Sequence, residues 1–176
     1  DVGFNLEGDT RSWDEKQPTA VWHGSATGYI KFSQLYAPGE YQTMTPRERT
    51  VKISEAFPEI LNASFSKVSW TEVLQHKIIV AVSGNCWASL LKPALYSNSA
   101  VILQDPVATE WYEPLLVPWV HYIPVRHDMR DLTDKIHWAL QNDAKSKEIA
   151  LNGRKFAEQH FHIKNVVREA RNMLQR

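Results

Sequence analysis

The run Lys77-Ile78-Ile79-Val80-Ala81-Val82-Ser83-Gly84 constrains the fold more than any other part of the chain. It does not alternate between apolar and polar residues, and it is rich in β-branched side chains. Such a run reads as a strand buried on both faces, as in a parallel sheet covered by helices on either side. Ala100-Val101-Ile102-Leu103-Gln104 repeats the pattern, and Val120-His121-Tyr122-Ile123-Pro124-Val125 reads as a further strand. Thr19-Ala20-Val21-Trp22 is a shorter run that passes into the loop His23-Gly24-Ser25.

Helical signals fill the intervals. Thr45 suits an N-cap and Pro46 the first helical position, with the helix ending near Phe57-Pro58. Residues 70–75, 89–96 and 109–116 read as short helices. Leu132, Ile136, Ala139 and Leu140 recur at helical spacing behind Asp131, and Asn142-Asp143 breaks that helix. Ile149, Ala150, Phe156 and Ala157 mark the next stretch, which Asn152-Gly153 interrupts. Ile163, Val166, Val167, Ala170 and Leu174 fit a last amphipathic helix. Strands alternating with helices predict an α/β domain with a mostly parallel sheet. Residues 1–18 read as an irregular polar lead-in, and residues 19–176 as a single domain.

Composition narrows the function classes. The 20 Lys and Arg residues balance 20 Asp and Glu, so the basic excess that a nucleic-acid partner requires is missing. The balance is uneven along the chain, with 11 basic against 7 acidic residues from 126 to 176, as expected of solvated helix faces. An aromatic share of 11% argues against a disordered chain. The single cysteine, Cys86, excludes an internal disulfide and a cysteine-based zinc site. The sequence has no apolar run long enough to span a membrane. No signal peptide is visible, and the start at Asp1 rather than Met suggests a fragment or a processed form. Asn62-Ala63-Ser64 fits the N-glycosylation pattern, which matters only in a lumenal compartment.

In parallel α/β sheets, ligands sit beyond the C-terminal ends of the strands. Three strand-end loops therefore stand out: residues 23–28, residues 83–87 and residues 104–110. The loop at Gly84 and Asn85 exposes backbone N–H groups before a helix, a setting that suits a phosphate. The sequence has no Walker-type loop and no dinucleotide Gly-x-Gly-x-x-Gly motif. His160-x-His162 lacks a carboxylate set, so no metal site is expected there.

Taken together, these segments resemble the C-terminal half of glycosyltransferase family 90, which includes capsule-associated and Rumi-type protein O-glucosyltransferases. Trp22-His23-Gly24-Ser25-Ala26-Thr27-Gly28 resembles the family's aromatic-Arg-Gly-Ser loop. The stretch from His76 to Ser83-Gly84-Asn85-Cys86-Trp87 is similar to its strand and Gly-Asn-Gly-Trp turn. Glu110-Trp111-Tyr112-Glu113, followed by Trp119-Val120-His121-Tyr122-Ile123-Pro124-Val125, resembles its most specific segment. Asn142-Asp143 and the stretch from Ala150 to Ala157 resemble its closing helices. The likeness covers residues 13–165.

The resemblance implies a Rossmann-like lobe of the two-lobed GT-B fold that binds UDP-glucose or UDP-xylose. It implies inverting transfer to a protein or glycan hydroxyl without a metal or other cofactor, and location in the lumen of the secretory pathway. Gly24, Ser25, Gly84 and Asn85 fall on the family's loops, and Lys31 and Lys92 on basic positions. Asp105 and Glu110 fall on acidic positions beside the nucleotide sugar. His23 stands where the family has a basic residue, and Leu90 where many members place an arginine facing the diphosphate. Lys31, Lys92 and a protonated His23 would compensate for that loss, with weak donor binding as the alternative. The family's catalytic Asp belongs to the N-terminal lobe, so the resemblance implies a donor-binding lobe that is inactive alone, with its catalytic residue unassigned. A degenerate glycan- or protein-binding module of the same fold is the alternative.

Overall fold

The computed structural model describes residues 9–28, 44–106 and 108–174. Its framework is a five-stranded sheet formed by β1 (Gln17–His23), β2 (Leu61–Ser64), β3 (His76–Ala81), β4 (Ala100–Gln104) and β5 (Ile123–Val125). The spatial order is β2-β1-β3-β4-β5, and every pairing is parallel. Successive residues of β3 serve opposite faces, as its unbroken apolar run requires. Ile78 and Val80 join a core with Trp22, Leu132 and Ile136, whereas Ile79 and Ala81 join one with Leu91, Leu95 and Phe156.

The helices are α1 (Pro46–Ala56), α2 (Trp70–Val73), α3 (Leu91–Tyr96), α4 (Leu132–Gln141), α5 (Asp143–His160) and α6 (Ile163–Leu174). Thr45 caps α1 as its sequence predicts, with Glu48 reaching back to the Thr45 N–H at 2.7 Å. Pro93 is tolerated in α3 because it lies in the first turn, where its missing N–H has no intrahelical partner to lose.

Several sequence expectations are corrected. β2 was not anticipated; it is a four-residue edge strand with only Leu61 and Ala63 buried. The helix expected over residues 109–116 is reduced to a 3-10 turn, Glu113–Leu115, with Pro114 inside it. The strand expected from Val120 begins only at Ile123. Trp119 adopts φ 63° and donates its N–H to Tyr122 O at 2.7 Å, so the chain is still turning there. Asn152-Gly153 does not interrupt a helix, because α5 runs through it. A β-carbon at Gly153 would lie 2.9 Å from His121 O, so glycine here permits close packing.

Within the lead-in, Trp13 is buried in the core and its indole N–H donates to Asp143 at 3.1 Å. Lys16 and Asp9 form a buried ion pair.

Candidate functional site

The strand order changes direction between β1 and β3. The connection from β1 leads outward to β2, and β3 then returns to the other side of β1. At such a switch point the loops that follow the two strands mark the usual ligand position in open α/β sheets. The loops flanking it are residues 23–28, after β1, and residues 83–87, beyond β3.

A residue outside both loops ties them together. Arg47, in the first turn of α1, donates Nη1 to Ser25 O at 3.0 Å and to Thr27 Oγ1 at 2.7 Å. It donates Nε to Ser83 O at 3.1 Å and Nη2 to Val82 O at 3.2 Å. Its guanidinium also lies 5.5 Å from the Trp22 ring centroid. Burial lowers its pKa, yet an arginine so placed stays charged because its ordinary value is very high. Gly28, at φ 129°, donates its N–H to Asn85 Oδ1 at 3.1 Å, a second link between the loops. Gly84 leaves room for the clamp, since a β-carbon there would meet Arg47 Nη2 at 2.8 Å and Thr27 Oγ1 at 2.9 Å.

A polar link continues across the sheet. The buried Gln104 side chain accepts from Ser83 N–H at 2.8 Å and donates to His127 O at 2.8 Å. Asp105 N–H donates to Val125 O at 2.8 Å, and His127 Nδ1–H donates to Asp105 O at 3.0 Å. The loops after β3, β4 and β5 are thus cross-braced.

The structure brings the loops that carry Gly24, Ser25, Gly84 and Asn85 together and places other predicted residues elsewhere. His23 turns to the β2 side, where Nδ1 lies 2.9 Å from Ser64 Oγ and 3.2 Å from Ser66 Oγ. Burial pushes its pKa below the usual histidine value, with Glu72 opposing weakly. That burial disfavours the protonated form on which a compensating charge from His23 would rest. Lys92 Nζ pairs with Glu110 Oε1 at 3.0 Å and lies 5.1 Å from the Tyr112 ring centroid. Leu90 packs against both apolar cores. Asp105 is exposed at the end of β4. Lys31 lies outside the described residues. A cavity of about 370 Å³ opens between α3 and α6 and is lined by Lys92, Tyr96, Trp111 and Phe161.

Arg47 and Gln104 were not singled out as site residues in the sequence. Arg47 carried one usable signal. Arg47 and Arg49 occupy the first turn of α1, where the helix dipole disfavours cations, so another interaction must hold them there.

The fold is an open, Rossmann-like α/β lobe whose strand order reverses between β1 and β3. Solved structures show the same architecture in GT-B glycosyltransferases. TarM superposes with a TM-score of 0.61 at 13% identity, over 94% of this chain and 36% of that one. Anabaena Alr3699/HepE, solved in complex with UDP, gives 0.58 at 12% identity, over 93% of this chain and 50% of that one. The family model for glycosyl transferase family 90 matches residues 5–176, and the chain belongs to that family. Protein O-glucosyltransferase 2 of Danio rerio is 40% identical over 94 residues, covering 53% of this chain and 19% of that protein. The uncharacterized protein 035R of Invertebrate iridescent virus 3 is 27% identical, covering 94% of this chain and 17% of the viral protein. The chain therefore spans less than a fifth of either relative's length.

Proposed function

We propose that the chain is the donor-binding lobe of a glycosyltransferase that moves glucose or xylose from a UDP-sugar to a protein or glycan hydroxyl, with inversion and without a metal. The observation that carries this reading is the β1/β3 switch point, where Arg47 holds two backbone-rich loops in register. A leaving diphosphate develops negative charge and needs preorganised donors. The Gly24-Ser25 and Gly84-Asn85 segments are the backbone proposed to offer them. Lys92, Asp105 and Glu110 flank the nucleotide sugar in this reading.

Inversion needs a carboxylate that takes the proton of the acceptor hydroxyl as that oxygen attacks the anomeric carbon and UDP departs. That base is assigned to a second lobe, so the chain alone does not turn over. Relatives named protein O-glucosyltransferase and neighbours solved with UDP and UDP-glucose support the donor class. The same relatives motivate a secretory-pathway lumen as the compartment.

One observation favours a second reading, a non-catalytic glycan- or protein-binding module. Leu90 is packed against both cores and Lys92 is paired with Glu110, which leaves the diphosphate fewer cations. Calorimetric titration with UDP separates the two. Saturable binding that weakens in Ser25→Ala and Lys92→Ala supports the donor lobe. The absence of saturable binding at millimolar UDP supports the module. Robust sugar transfer by the 176-residue chain would overturn the assignment of the base to another lobe.

A further inference from the structure

The N-glycosylation pattern Asn62-Ala63-Ser64 falls on β2, the outer edge strand of the sheet. No other asparagine in the chain has Ser or Thr two positions on. Side chains alternate along a strand, so Leu61 and Ala63 enter the core while Asn62 faces the opposite way and is exposed. The Asn62 amide has no hydrogen-bond partner among the described residues. Asn98 and Asn142 differ in this respect: Asn98 Nδ2 donates to Asp9 O at 2.9 Å, and Asn142 Nδ2 to Trp138 O at 2.8 Å. A bulky, hydrated group attached at Asn62 therefore meets solvent and displaces no contact.

We propose that Asn62 is a glycan attachment site, modified in the lumen of the secretory pathway before the chain folds. The inference rests on the lumenal part of the proposed function and is independent of donor binding. The reaction joins Asn62 Nδ2 to the anomeric carbon of an oligosaccharide carried on a lipid diphosphate. The sugar–phosphate bond breaks, the lipid diphosphate leaves, and the amide proton passes to a base of the modifying transferase.

The folded strand fixes the order of events. Asn62 and Ser64 stand opposite Val21 and His23 in the parallel ladder with β1. On the other side of β2, Ser54 Oγ donates to Leu61 O at 2.7 Å and accepts from Ala63 N–H at 2.8 Å. Ser64 Oγ is engaged by His23 Nδ1 at 2.9 Å and by Ser66 Oγ at 2.7 Å. An amide nitrogen is a poor nucleophile, so the transferase has to enclose the tripeptide and bind its hydroxyl. A tripeptide paired along both backbone edges and through that hydroxyl is closed to it. During synthesis it is open, because Leu61 and Ala63 share a core with Ile136, which lies 72 residues downstream of Ser64. At about 5–20 residues per second that interval is about 4–15 s. The attached glycan leaves from the outer edge of the sheet, with β1 between it and β3, and so does not obstruct the loops around Ser25 and Gly84.

The site is tested with the chain behind a cleavable signal sequence in secreting animal cells, by gel mobility and peptide mass before and after peptide-N-glycosidase. Wild type should carry one glycan, whose release converts Asn62 to aspartate. Asn62→Gln and Ser64→Ala should lose it, and Ser64→Thr should retain it, since threonine supplies the same hydroxyl. A wild-type chain delivered to the lumen without a glycan overturns the site, as does a glycan that survives in Asn62→Gln. The timing is tested with solubilised microsomes and lipid-linked oligosaccharide. A peptide of residues 57–68 should be modified and the folded, unglycosylated chain should not. Equal modification of the two overturns the claim that folding closes the site. A glycan on the delivered chain but none on the protein from its own cells overturns the lumenal compartment and the modification there. UDP titration of the glycosylated chain and of Asn62→Gln should give equal affinities. Failure of both to bind overturns the donor-lobe reading and leaves the glycan result standing.

Discussion

Replacing Arg47 with methionine tests whether one side chain aligns the two switch-point loops. Methionine keeps an apolar stem against Trp22 and removes the four donor contacts to Ser25, Thr27, Val82 and Ser83. The contacts to Ser25 and Thr27 lie near solvent, where water replaces the donor, so each contributes about 0.5 kcal/mol. Val82 and Ser83 are buried, and each of their carbonyls loses about 1 kcal/mol or more when left without this donor. The cation–π contact with Trp22 adds about 0.5 kcal/mol. The expected loss is about 3.5 kcal/mol, or roughly 10 °C in Tm for a domain of this size. Urea unfolding followed by tryptophan fluorescence measures it. Arg47→Lys recovers only part of the loss, because an ammonium cannot reach four divergent acceptors. A loss below about 1 kcal/mol for Arg47→Met would refute the clamp, since the reasoning assigns more than that to the two buried carbonyls alone.

Two further outcomes follow from the packing and the titrating groups. Gly153→Ala gains about 1 kcal/mol of helix propensity but drives a β-carbon to 2.9 Å from His121 O. Overpacking against backbone costs about 1–3 kcal/mol, so urea unfolding should show net destabilisation, and a stabilised variant would contradict the close contact. Burial lowers the pKa of His23, His76 and His121 below the usual 6.5, so the unfolded chain takes up protons before the folded one. Stability should therefore fall as pH drops from about 7.5 to 5.5, beginning near the ordinary histidine value, and His76→Gln should flatten that slope. Glu113 acts in the opposite sense, since burial raises its pKa and its contribution is lost as pH rises through that raised value.

The sheet was legible where the chemistry of a strand is unambiguous. β3 and β4 are unbroken apolar runs, and burial on both faces leaves them no other reading. β2 was hidden because an edge strand of four residues shows only Leu61 and Ala63 to the core. The turn at Trp119 was hidden because a positive φ in a tryptophan is set by its surroundings. Gly153 was misread for the converse reason: a glycine in a helix marks a break or a close contact, and only the His121 carbonyl shows which. At the site, the loops around Ser25 and Gly84 were readable as strand ends. The pairing of Lys92 with Glu110 and the reach of Arg47 into both loops join positions separated by 18 to 36 residues, and no local pattern encodes them.

The most direct test of the central claim is an amide NMR titration of the ¹⁵N-labelled chain with UDP. Donor binding at the β1/β3 switch point predicts saturable shifts centred on Gly24, Ser25, Gly28, Gly84 and Asn85, with Arg47→Met abolishing them. Saturable shifts that leave all five of these residues unmoved, or no saturable shifts at millimolar UDP, would contradict it.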